Sequence, residues 1–381
     1  MGMETGQVLK VRQGGFTLCR LPKRPRELLR AFDAADEYLL DYVAEVEQPA
    51  TGARILLLND SFGALAVALS AFQPYAMSDS YLSQQATRLN LVSNGLSEHS
   101  VILLDSLAPL TGVFDAVLIK VPKTLALLED ELIRLRPHVT ASTQVVLAGM
   151  VKALPGSVWA LLERLLGTTT TLLAKKKARL ILAAPNPELV IPDNPYPVYY
   201  TLENAGYLIA NHANVFSRDS LDIGTRFFLQ HLPTMPDAQD IIDLGCGNGL
   251  VGLIAAERNP AATVHFLDES FMALASAKEN FYRVFGDGRS AKFCVGNGLT
   301  GVGSASADLI LCNPPFHQQH SIGDQIAISM FKESIRVLRK GGELWVIGNR
   351  HLDYHIQLKR LFGTVAMIAN NSKFVIFKAS T

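Results

Sequence analysis

The chain has 381 residues with 35 basic and 35 acidic side chains, so its formal net charge at pH 7 is zero, and 49% of it is hydrophobic against 18% charged. That length suits one large domain or two ordinary ones with well-filled cores, and the neutral total speaks against a uniformly basic, nucleic-acid-coating surface. The longest apolar run, 54–72, is interrupted by Asn59, Asp60, Ser61 and Gly63 and is not a membrane span; the cysteines Cys19, Cys246, Cys294 and Cys312 are scattered without metal-ligand spacing and read as reduced thiols.

From the N-terminus, MGMETGQVLKVRQGG lacks an apolar signal core, which predicts a cytoplasmic protein. A basic run follows, with Arg20, Lys23, Arg24, Arg26 and Arg30 against the single acid Glu27. The stretch 54-RILLLNDSFGALAVALSAFQP-74 reads as a buried strand, a turn and a helix. Next come 75-YAMSDS-80, a strand ending in Asp, a helix ending near Asn90, and the strand of 115-DAVLIKVPK-123. A second basic run is Lys175, Lys176 and Lys177. The five prolines of 185-PNPELVIPDNPYP-197 mark the domain boundary, giving domains over 1–185 and 214–381 with 186–213 as linker and connection.

Beyond the boundary the plan repeats. Residues 240-DIIDLGCGNGLVGLIAAERNP-260 form strand, Gly-rich turn and helix; 263-TVHFLDES-270 is a strand ending in Asp before a helix ending near Asn280; 308-DLILCNPPF-316 is the third strand. This order of β-turn-α units predicts an α/β fold, a doubly wound parallel sheet in each half. The two halves look like one domain present twice. Gly245 and Gly247 correspond to Asn59 and Ser61, and Asn313-Pro314-Pro315-Phe316 to Lys120-Val121-Pro122-Lys123. One copy keeps the parts of a ligand site; the other, N-terminal copy is degenerate.

In the working copy Gly245, Gly247 and Gly249, with Asn248 among them, let a ligand lie against bare backbone ahead of a helix. Asp268, at the end of the next strand, stands where an acid can take both hydroxyls of a ribose. Asn313 closes the set, and all three features fall on the carboxyl edge of the expected sheet. The turn reads G-x-G-x-G after Asp243, which resembles the Rossmann-like methyltransferases. The resemblance implies S-adenosylmethionine as cofactor, held by the Gly turn, with Asp243 near its amino group, Asp268 on its ribose and Asn297 near its adenine.

Asn-Pro-Pro-Phe resembles the signature of methyltransferases that act on a planar, conjugated –NH₂ group. Such a nitrogen is a poor nucleophile because its lone pair is delocalised. The Asn313 side-chain oxygen and the Pro314 carbonyl can each accept one of its N–H groups, and the stiffness of Pro314 and Pro315 keeps both acceptors fixed. Phe316 offers a face for a base, and stacking of that kind is worth ~1–3 kcal/mol. His317 and His320 read as substrate contact or loop packing, with His317 the nucleic-acid candidate; they have no acidic or Cys partner nearby, so no metal is expected.

The run 308-DLILCNPPFHQQH-320 and the segment 212-HANVFSRDSLDIGTRFFLQHLP-233 resemble the bacterial ribosomal RNA guanine-N2 methyltransferases, in which a degenerate methyltransferase-like domain precedes the working one. Of the two types, 120-KVPKTLALLEDEL-132 and 349-NRHLDYHIQLKRLFG-363 match the large-subunit one. The resemblance implies methylation of a guanine N2 in 23S rRNA by a monomer acting on naked or partly assembled large-subunit RNA. It also implies a lid over the cofactor cleft from Phe216, Arg218, Asp222, Thr225 and Arg226 that helps hold the cofactor's methionine moiety, Arg218 and Thr225 being cofactor-binding and Arg218 or Arg226 pairing the methionine carboxylate. The degenerate half would then be an RNA platform gripping phosphates through Arg20, Lys23, Arg24 and Arg26, with Lys175, Lys176 and Lys177 as second contact. The alternatives are a small-subunit rRNA enzyme, a protein glutamine-N5 methyltransferase using the same Asn-Pro-Pro element, and a non-catalytic RNA-binding assembly factor.

Overall fold

A computed structural model describes residues 6–23, 27–46, 49–203, 205–315 and 320–381, with backbone alone at 320–324. Arg24, Arg26, Phe316 and His317 lie outside the described residues. The chain divides into two compact units, Met1–Tyr196 and Pro197–Thr381. No helix among the described residues is long and apolar enough to cross a membrane.

In the first unit the seven-stranded sheet runs, edge to edge, Ile102–Asp105, Tyr75–Ser78, Ile55–Leu58, Ala116–Lys120, Gln144–Met150, Ala178–Ala183 and Thr169–Thr171. In the second unit the matching order is Ala291–Val295, Thr263–Asp268, Asp240–Leu244, Ala307–Cys312, Leu338–Asn349, Phe374–Ser380 and Thr364–Asn370. The first five strands of each order pair in parallel and the last two in antiparallel fashion. Two tandem Rossmann-like sheets are therefore present, one per unit. The central strands are continuously apolar because both faces are covered. Leu57 and Ile55 enter one core and Leu56 and Leu58 the other; in the second unit Ile241 faces one core, Ile242 and Leu244 the opposite one.

The repeat extends further than the sequence indicated. Each unit opens with an antiparallel hairpin, Gln7–Val11 with Gly14–Leu18 in one and Val198–Thr201 with Leu208–Asn211 in the other. The span 186–213, expected as a connection, thus contains a hairpin of the second unit. Each hairpin is pinned by an asparagine in a later helix. Asn90 bonds the backbone of Cys19, next after the first hairpin, and of Phe62, and Asn280 bonds that of Ala210 within the second hairpin and of Asn248. Both asparagines are almost wholly buried inside their helices, Tyr81–Ser93 and Phe271–Phe285, not at the helix ends. After the hairpin comes a helix capped by an aspartate, Asp33 for Ala34–Glu45 and Asp222 for Ile223–His231.

Register corrects one correspondence. Leu58 pairs with Met77 and Leu244 with Leu267, so the partner of Asp268 in the first unit is Ser78. The strand there ends at Ser78, and Asp79 belongs to the following turn. The degenerate copy therefore lacks a counterpart of Asp268 as well as of Gly245 and Gly247.

Candidate active site

The sheet order reverses at Asp240–Leu244, which has Thr263–Asp268 on one side and Ala307–Cys312 on the other. A crevice opens at the carboxyl edge of such a switch point. There Gly245, Gly247 and Gly249 adopt φ of 72°, 54° and 77°. The three glycines do different work. A Cβ at Gly249 would stand 2.6 Å from Ala277 Cβ and 2.8 Å from its Cα, so Gly249 lets two helices approach. A Cβ at Gly247 meets nothing within 4 Å, which leaves open space over bare backbone. The first unit keeps the framework half of this design. Asn59 holds the left-handed turn at φ 64°, and a Cβ at Gly63 would lie 2.8 Å from Thr87 Cα.

Asp268 braces the turn: Gly247 N–H donates to its Oδ2 at 2.9 Å and Ser270 N–H to its Oδ1 at 2.9 Å. Asp243 is 2% exposed and accepts from Gly252 N–H at 2.7 Å at the start of helix Leu250–Arg258. Burial pushes its pKa up to about 8, and the Asp268 charge pushes the same way. Asn248 faces the hairpin, donating to Asn211 Oδ1 at 2.9 Å and to the Tyr200 hydroxyl at 3.3 Å; its side chain ties the turn to the preceding strands. Asn297 lies half-buried just beyond Ala291–Val295, with its carbonyl accepting from Thr300 N–H.

Asn313 follows the last residue of Ala307–Cys312. Its Nδ2 donates to Thr225 Oγ1 at 3.0 Å, and its Oδ1 is buried without a hydrogen-bond partner. A buried amide oxygen left unmatched in this way is uncommon, because it forfeits its solvation with nothing in return. Asn349, at the end of the neighbouring strand, has an Oδ1 in the same condition. Composition and spacing gave no signal for Asn349 as a site residue, since a lone Asn after a strand is ordinary turn chemistry.

The expected lid residues meet other partners. Arg218 is held by Asp219, Nε to Oδ1 at 3.2 Å and Nη2 to Oδ2 at 3.1 Å, and also donates to the Ala213 carbonyl. Arg226 pairs with Glu203 at 2.6 Å. Phe216 is 56% exposed. Thr225 contacts Asn313 and Asp222.

In the first unit the corresponding places are filled from within. Lys120, which takes the place of Asn313, makes ion pairs with Asp33 at 2.8 Å and Asp36 at 2.7 Å. Asp60, in place of Cys246, accepts from Ala64 N–H and Ala66 N–H and so occupies the helix start. Burial, then the Asp36 charge, raises Asp60 to about 6. Burial likewise raises Asp36; it also disfavours the Lys120 cation, but Asp36 and Asp33 outweigh that and lift Lys120 above the ordinary lysine value. Among the basic candidates, Arg20 stacks over Phe62 and pairs with Glu27 at 3.7 Å, Lys175 lies over the Tyr38 ring, and Lys176 pairs with Glu37 at 2.7 Å. Lys23, Lys175, Lys176 and Lys177 are exposed, the last two with φ of 49° and 65° in a tight turn.

Residues 7–187 match the RLMG N-terminal domain and residues 206–378 the Methyltransferase small domain. The chain is 49% identical over 371 residues to the ribosomal RNA large subunit methyltransferase G of Streptomyces avermitilis, covering 96% of this chain and 97% of that one. It is 51% identical over 368 residues to that of Aeromonas salmonicida, covering 96% of each. The chain belongs to the ribosomal RNA large subunit methyltransferase G family. Its fold over both units is also that of a T. thermophilus 16S rRNA N2 methyltransferase solved with AdoMet and guanosine, 19% identical, with TM-score 0.75 over 99% of this chain and 98% of that one. The two units match different family models and differ at the site: the second carries the open Gly turn and the unmatched Asn313 oxygen, the first carries neither.

Proposed function

We propose that the chain is an S-adenosylmethionine-dependent methyltransferase acting on the exocyclic N2 amine of a guanine in large-subunit (23S) ribosomal RNA, with the second unit catalytic and the first a platform for the RNA. The observation that carries the reading is the buried, unmatched Asn313 Oδ1 at the carboxyl edge of the sheet. Family membership supplies the methyl donor and the substrate class.

The residues present fit the cofactor. Gly247 leaves room that any side chain would take, and Asp268 is a carboxylate held at that turn by two backbone N–H groups, an acceptor of the kind ribose hydroxyls need. Gly245, Gly247, Asp268 and Asn297 would hold it, with Asp243 behind the turn. When bound, it supplies an electrophilic methyl on a sulfonium. Asn313 Oδ1 accepts one N–H of the incoming amine and the Pro314 carbonyl the other. With both N–H bonds directed, the nitrogen is biased towards pyramidal geometry and its lone pair is held on nitrogen instead of delocalised into the ring. Pro314 and Pro315 keep the two acceptors from drifting, and this preorganisation is their share of catalysis. The methylated nitrogen is acidic and gives its proton to water.

The guanine amine is paired within duplex RNA, so the target is single-stranded or flipped out at a cost of a few kcal/mol. Naked or partly assembled large-subunit RNA is accordingly the better substrate. The first unit's exposed lysines at 175–177 and Lys23 support the platform. Arg20, Lys175 and Lys176 would exchange their present partners for phosphate. Mass mapping of modified nucleotides in both rRNAs from a strain lacking the protein tests the reading: loss of one N2-methylguanine from 23S rRNA is expected. Loss from 16S rRNA alone, or from a protein glutamine, would overturn it.

A further inference from the structure

Asn313 can be an acceptor only if its amide is presented the right way round. A free amide offers oxygen or NH₂ with little preference, and the wrong face would set two donors against each other. The structure resolves this through helix Ile223–His231. Asp222 caps that helix, its Oδ2 accepting from Thr225 N–H at 2.8 Å. The same oxygen accepts from the Thr225 hydroxyl at 3.3 Å. A carboxylate has no proton to give, so the hydroxyl hydrogen points at Asp222 and the hydroxyl lone pairs are left to accept. Asn313 Nδ2 is the donor they receive, at 3.0 Å. The amide oxygen is thereby turned to the side where it has no partner.

A second observation, from the first unit, points to the same device. Its leading helix is capped by Asp33, and the third helical residue there is Asp36, as Thr225 is in the second unit. Asp36 contacts Lys120, which occupies the place of Asn313. In both units, then, the cap and the third residue of the leading helix hold the residue at the carboxyl end of the matching strand, directly for Lys120 and through Thr225 for Asn313. In the degenerate unit the hold is an ion pair that fills the site. In the working unit it is a directed hydrogen-bond chain that leaves an oxygen open.

We propose that Asp222 and Thr225 are positioning residues that fix the Asn313 amide with its oxygen towards the substrate amine, a role distinct from contact with the cofactor. This inference rests on the reading of Asn313 given above. The test uses the full-length chain, protein-free 23S rRNA from a strain lacking the modification, and single-turnover methyl transfer at saturating S-adenosylmethionine. Asn313→Ala is the control for the acceptor role, expected to lose ~10²–10³-fold. Thr225→Val, which keeps the shape and removes the hydroxyl, is expected to lower turnover ~10–100-fold with S-adenosylmethionine affinity within about twofold of wild type. Thr225→Ser restores turnover to within about threefold, which a purely structural role for the threonine methyl would not allow. Asp222→Asn keeps a good helix cap but loses the acceptor-only character, and is expected to follow Thr225→Val in turnover with little change in melting temperature. In the double variant Thr225→Val adds nothing to Asn313→Ala, because its effect passes through that residue. Wild-type turnover in Thr225→Val with a disabled Asn313→Ala would overturn the positioning role and leave the acceptor role standing. Full additivity in the double variant would also overturn it. Wild-type turnover in Asn313→Ala would remove the acceptor role and this inference together.

Discussion

Two glycines five and three residues past the end of the same strand, Gly249 and Gly247, are expected to fail in opposite ways when replaced by alanine. Both sit at positive φ, 77° and 54°, where an L side chain costs about 1–2 kcal/mol in backbone strain. At Gly249 the new Cβ would also stand 2.8 Å from Ala277 Cα and 3.2 Å from the Phe266 ring, contacts that require two buried elements to separate. Overpacking of that kind costs about 1–3 kcal/mol more. For a unit of this size each kcal/mol moves the melting temperature about 2–4 °C. Gly249→Ala should therefore lower it by roughly 5–15 °C, and Gly247→Ala by roughly 2–8 °C. Ligand binding should reverse the order. The Cβ at 247 meets no protein atom within 4 Å and projects into the open space where the proposed cofactor would lie. Titration calorimetry with S-adenosylmethionine is expected to give at least a tenfold loss for Gly247→Ala, and no measurable binding for Gly247→Val. Gly249→Ala, measured well below its melting temperature, should retain most of its affinity. Wild-type affinity in both Gly247 variants would refute the argument that bare backbone there faces the cofactor.

Glu131 is almost wholly buried, accepts from Asn59 Nδ2 at 2.9 Å, and is pushed by burial up to about 8. A carboxyl whose folded pKa lies above its ordinary 4.5 contributes stability below that value and loses it as pH rises through about 8. Glu131→Gln should thus gain on wild type in chemical-denaturation midpoint between pH 6 and pH 9, and parallel curves would contradict this. Lys120→Met leaves Asp36 and Asp60 buried without their cation and should cost about 3–5 kcal/mol of stability, read by denaturation of the full chain, with S-adenosylmethionine binding unchanged. RNA affinity should fall with salt, and charge neutralisation at Lys175, Lys176 and Lys177 should flatten the slope of log K against log salt; equal slopes would exclude that turn as a phosphate contact.

The sequence by itself determined the α/β repeat, because covering both faces of a parallel strand forces continuous apolar runs such as 55–58 and 241–244, and because glycine at 245, 247 and 249 leaves few alternatives to a tight turn. It also singled out Asn313 and Asp268, because such residue types at strand ends can carry chemistry whatever their neighbours. Only the tertiary structure decided what those residues touch. Asp79 looked like the counterpart of Asp268 by adjacency in sequence, but strand register gives that place to Ser78. The hairpins at 7–18 and 198–211 are related through Asn90 and Asn280, many residues away, and sequence similarity between the hairpins themselves is too slight to reveal it. Thr225 and Asn313 are 88 residues apart, and a hydroxyl-to-amide bond between them has no periodicity to betray it. Local pattern follows from backbone geometry and burial, which act over a few residues. Which end of the Asn313 amide is left open is set by partners that the fold brings together from distant parts of the chain.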